Sequence, residues 1–118
     1  MSTKFNMSRD VNGYNGFGLP FALDGQGVVL TAGAAETFTV PSNYPCWIAI
    51  FSYTPGSSVW VDGINTAATP SGTVAATTAR LNPVACEVRA GQLISVITDD
   101  TSSPEVQVSY YYKDEYIN

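Results

Sequence analysis

The chain contains no histidine, and only five of its 118 residues, Lys4, Arg9, Arg80, Arg89 and Lys113, are cationic. Without histidine the commonest general base is missing, and neither Ser-His nor Cys-His nucleophilic machinery can be assembled within the chain. Five scattered cations against ten acids, a net charge of −5, supply no basic stripe to neutralise phosphates or anionic lipid, so neither direct nucleic-acid contact nor a membrane surface is expected. No apolar run approaches the roughly 20 residues that a helix needs to cross a bilayer. The first residues, MSTKFN, lack the apolar core of an export signal, which places synthesis in a cytoplasm. Cysteine is scarce too. Cys46 and Cys86 both sit in apolar stretches, which favours small buried thiols over the alternative, a Cys46–Cys86 disulfide. Two thiols without histidine complete a four-ligand zinc site only where carboxylates or a second chain contribute.

Charge of either sign is thin: 13% of residues, about half the usual share, while 45% are apolar or aromatic. Thr, Ser, Asn and Gly cover the surface instead. The length suits one domain. Residues 1–24 form an N-terminal arm with glycines at 13, 16 and 18 and no helical or alternating period. Tails that stay disordered are usually poor in apolar groups. An arm carrying Phe5, Tyr14, Phe17, Leu19 and Phe21 is therefore expected to lie on a surface, whether its own domain, a sister subunit or another protein. These five residues are the candidate partner-binding set.

Residues 25–118 read as a β-sandwich, with short β-like runs at 28–30, 36–40, 47–53, 58–61, 86–89, 92–98 and 105–112. An eighth strand falls either in the arm or at 73–78. Turn chemistry such as Asp62-Gly63, Ala90-Gly91 and the stretch 99–104 separates the runs. Helix is nearly excluded, because the one stretch with helical propensity, 75–81, stops at Asn82-Pro83. Parity distinguishes two kinds of strand. In 36–40 and 105–112 apolar and polar residues alternate, as on a half-exposed sheet. Runs 47–51 and 93–97 are apolar at both parities and demand cover on both faces. The arm or a neighbouring subunit is expected to provide it, which favours a homo-oligomer, a trimer before a dimer.

Acid–base chemistry would have to rest on carboxylates alone, and Asp62, Glu87, Asp99, Asp100 and Glu105 are the candidates. Asp62, Asp99 and Asp100 sit in turn sequences, where side chains bond their own backbone. The 99–105 cluster lacks the ligand spacing of a calcium loop, and the glycines at 13–18 are followed by no Lys-Ser/Thr and no strand-to-helix context. No cofactor and no enzyme activity are expected. Trp60 and Tyr111, whose same-parity neighbours are small or polar, are the candidates for stacking on a sugar, the alternative to ordinary strand packing.

The stretch ARLNPVACEVRAGQLISVI at 79–97, followed by VQVSYY at 106–111, resembles the head decoration or cement proteins of tailed bacteriophages, as do FTVP at 38–41 and VWVD at 59–62. The resemblance covers residues 28–112, and its motifs also suit phage tail or fibre domains. It implies an antiparallel jelly-roll sandwich and a structural protein on the capsid exterior, with the major capsid protein as partner and a small symmetric oligomer as the working form. A receptor- or carbohydrate-binding module of a fibre or tail appendage is the alternative, and a carboxylate-only hydrolase a third.

Overall fold

A computed structural model describes residues 2–6, 18–69 and 81–113. Among them are seven strands and no helix: β1 (Asp24–Val29), β2 (Glu36–Thr39), β3 (Cys46–Tyr53), β4 (Val59–Asp62), β5 (Ala85–Arg89), β6 (Leu93–Thr98) and β7 (Glu105–Lys113). They correspond one for one to the seven runs of β-like sequence. Tyr14, Phe17 and the 73–78 segment lie outside the described residues.

The strands form two antiparallel sheets, one in the order β1-β7-β3-β5 and one in the order β2-β6-β4. Each strand belongs to the sheet opposite its predecessor. No turn therefore closes a hairpin. The Ala90-Gly91 turn is typical: the Gln92 amide donates to the Arg89 carbonyl, and Gly91, at φ 74°, takes a left-handed conformation that a side chain would oppose. The chain then passes from β5 in one sheet to β6 in the other.

One core lies between the sheets. From the larger sheet come Trp47, Ala49 and Phe51 of β3, Val88 of β5, and Val106, Val108 and Tyr110 of β7; from the smaller come Phe38, Val59, Val61, Ile94 and Val96. Leu30 and Val40, just past the ends of β1 and β2, complete it. The alternation read in β2 and β7 places Phe38, Val106 and Val108 inward while Thr37, Thr39 and Gln107 face solvent. Trp47, fully buried, directs its indole N–H to the Tyr44 carbonyl at 2.9 Å, so its one polar atom is satisfied.

The doubly apolar strands find much of their second cover within the chain. On the outer face of β6, Ser95 accepts a hydrogen bond from the Ala67 amide at 2.9 Å, drawing the segment after β4 across it. Ile97 on the same face is 7% exposed and pairs with Trp60, which bridges in turn to Leu81. Ala67 and Leu81 thus lie at the outer face of the smaller sheet, while Leu93, at the end of β6, stays exposed. On β3, Ile48 and Ile50 are half-buried on the outer face.

Candidate partner-binding site

The arm begins on the domain's own larger sheet. β1 lies against β7 only as far as Asp24 opposite Tyr110. Beyond that point residues 3–5 take over the vacated edge: Lys4 forms a parallel bridge with Tyr112, the Phe5 amide donates to the Tyr112 carbonyl at 2.8 Å, and the Tyr112 amide donates to the Thr3 carbonyl at 3.0 Å. The returning end of the arm is held beside it. The Leu23 amide donates to Thr3 Oγ1 at 3.0 Å, and the Tyr111 hydroxyl donates to the Pro20 carbonyl at 2.6 Å. Both ends of the arm therefore meet at one base on the Tyr111–Tyr112 end of β7.

This base divides the candidate residues. Phe5 is half-buried and meets Tyr111 edge to face at 6.1 Å. Phe5 and Tyr111, expected to face a partner and a sugar respectively, face each other. The cause is parity: Tyr111 points away from the core onto an outer face that the arm covers, leaving it 6% exposed. Leu19 is half-buried. Phe21 is 100% exposed, the one described aromatic of the arm whose ring stands wholly in solvent, and Leu23 beside it is 67% exposed. Of the candidate set, the described geometry brings forward Phe21.

Trp60 and Tyr111 do not cooperate. Trp60 alternates with the inward Val59 and Val61 of β4 and so lies on the outer face of the smaller sheet, whereas Tyr111 lies on the outer face of the larger one.

Two of the candidate carboxylates have structural partners. Asp62 Oδ1 accepts the amides of Ile64 and Asn65 at 2.9 and 3.0 Å, which makes it a turn former. Glu87 pairs with Lys113 at 3.1 Å on the outer face of the larger sheet. Both line a cleft of about 280 Å³ together with Phe51, Val61, Cys86 and Ile94. Among the described residues no three acidic or thiol side chains gather in a metal-binding cluster. Both cysteines are free thiols; Cys46 is buried and accepts a contact from the Arg89 guanidinium at 2.9 Å, while partial burial pushes the Cys86 thiol pKa up.

Tyr44 escaped the sequence reading, which treated 41–45 as turn punctuation. Its ring stacks on Tyr112 at 3.8 Å and 4° and meets Trp47 edge-on, so the turn clamps the end of β7 on which the arm docks. The adjacent Asn43 side-chain amide reaches Ser2 Oγ at 2.8 Å. The close Tyr112 phenol raises the Tyr44 pKa, since two neighbouring phenolates would repel. An aromatic set between two prolines, beside an amide, was the available signal.

No family model, no curated protein and no solved structure matches this chain.

Proposed function

We propose that the protein is a non-enzymatic structural component of a bacteriophage particle, a decoration or cement protein that binds the outside of the capsid and strengthens the shell. The observation that carries the reading is the docked arm base, which holds Phe21 fully exposed on a low-charge molecule. Burying one such ring contributes about 1.5 to 3 kcal/mol before ordering costs, and an anchor already held at its base loses less entropy on binding.

A jelly-roll architecture belongs to the same proposal, and the strand order supports it. A jelly roll is a long antiparallel hairpin of eight strands rolled so that the first lies by the eighth, the second by the seventh, the third by the sixth and the fourth by the fifth. Here β1 pairs with β7, β2 with β6 and β3 with β5, and Leu81 bridges antiparallel to Trp60 at the edge of β4, the place of the fourth pair. The rolled contacts, β3 with β7 and β4 with β6, are also present. The partners are the major capsid protein and further copies of this chain, and the site of action is the capsid exterior.

The test is co-sedimentation of the purified protein with capsids that lack it, for the wild type and Phe21→Ser. Because Phe21 is exposed, the variant keeps its fold, and its apparent affinity for shells is expected to fall at least about tenfold, as loss of one buried aromatic anchor predicts. Unchanged binding by the variant would remove Phe21 from the interface. Failure of the wild type to bind shells, joined with retention of a defined glycan, would favour the appendage-module alternative.

A further inference from the structure

The four strands at the sheet edges are not equally protected. Edge strands invite pairing with other chains, and proteins blunt them with charge, proline or short length. β5 carries Glu87 and Arg89, while β2 and β4 are four residues each, with β4 further capped by Leu81 and Asn82. β1, DGQGVV, has six residues and no charge after Asp24.

The direction of its backbone groups follows from one bond. Leu30 donates to the Pro104 carbonyl at 2.8 Å, continuing the β1–β7 register, so the even-numbered residues turn their N–H and C=O groups toward β7. Gly25, Gly27 and Val29 therefore turn theirs outward, and among the described residues no strand pairs with that side. Val29 is 55% exposed on the outer face, alternating there with the two glycines.

We infer, resting on the self-association proposed above, that the free edge of β1 pairs antiparallel with β1 of a second copy across a two-fold axis at Gly27. This register engages every outward group of all three residues in both copies. Gly25 of one copy then faces Val29 of the other, so each exposed valine lies over the space that a glycine leaves. The register also keeps like charges apart. Each copy carries −5, and a second copy is tolerated where carboxylates do not meet; in this register Asp24 faces Leu30 of the other copy, and the two Asp24 side chains stay apart. The product is one continuous sheet through two molecules, and a dimer replaces the trimer that the sequence favoured.

The experiment is sedimentation of the full chain over a concentration series, with amide hydrogen exchange at both ends of it. The wild type should form dimers, and the amides of Gly25, Gly27 and Val29 should gain protection as it does. Val29→Pro removes an outward donor without touching the β1–β7 ladder, and it should raise the dimer dissociation constant by about tenfold or more. A wild type that stays monomeric, or a dimer whose three amides exchange as in the monomer, overturns the inference. Should Val29→Pro fail to fold, the wild-type exchange pattern decides alone. Shell binding by the Phe21 series is read separately, so the capsid reading and this interface fail independently.

Discussion

Asn82 adopts φ 46°, a left-handed conformation costly for most side chains and tolerated by asparagine. Its side chain accepts from the Val59 amide and donates to the Ser57 carbonyl, both at 2.8 Å, while its own amide donates to the Val59 carbonyl. One residue thus serves the start of β4 in place of a longer strand. Asn82→Ala is expected to cost about 2 to 3 kcal/mol in urea unfolding, from two lost hydrogen bonds and residual backbone strain. Asn82→Gly loses the same bonds without the strain and should be milder by about 1 kcal/mol. Equal losses would mean that the conformation costs nothing here. The sequence marked Asn82-Pro83 as a break in the chain; that the amide would satisfy a strand 23 residues earlier was not legible, because the partner is set by the fold.

At the scale of elements, all seven strands were legible, since each is a short run of β-branched or aromatic residues closed by glycine, proline or an Asx turn. β1 was read short, from residue 28, because Asp24, Gly25, Gln26 and Gly27 have no strand preference of their own; pairing with β7 imposes extension on them. The arm was legible as adherent but not as to where it adheres. Its first turn of chain completes the edge of β7, and Phe5 covers Tyr111. Phe5→Ala should therefore lower stability by about 1 to 2 kcal/mol, measured by urea midpoint, and expose Tyr111 to solvent in its NMR contacts. No change in either would detach the arm from the sheet and return Phe5 to the partner-binding set.

For the whole molecule, the buried phenols set the response to alkali. Burial pushes the Tyr110 hydroxyl from 10.0 up to about 12, and burial also raises Tyr53, with the neighbouring Cys86 adding to it. In the unfolded chain these groups ionise near pH 10, so between pH 10 and 12 the unfolded state has released protons that the folded state still holds. Stability is then full below pH 10 and falls as pH rises through about 12. Urea midpoints taken at pH 8, 10 and 11 should decline over the last step, and Tyr110→Phe should shallow that decline. A flat profile would show that the phenols ionise alike in both states.

What the sequence determined by itself is local: the β class, the number and parity of the strands, the want of a histidine-based site, and the surplus of apolar groups on β3 and β6. These follow from side-chain preference and period-two alternation, which act over a few residues. Tertiary structure alone decided which strands pair, because every connection crosses from one sheet to the other and every ladder joins residues distant in the chain. It also decided that Ala67 and Leu81 lie at the outer face of the smaller sheet, and that Tyr111 is sheltered while Phe21 is exposed. Alternation tells which residues share a face but not what covers it; cover is supplied by whichever segment the closed topology brings there.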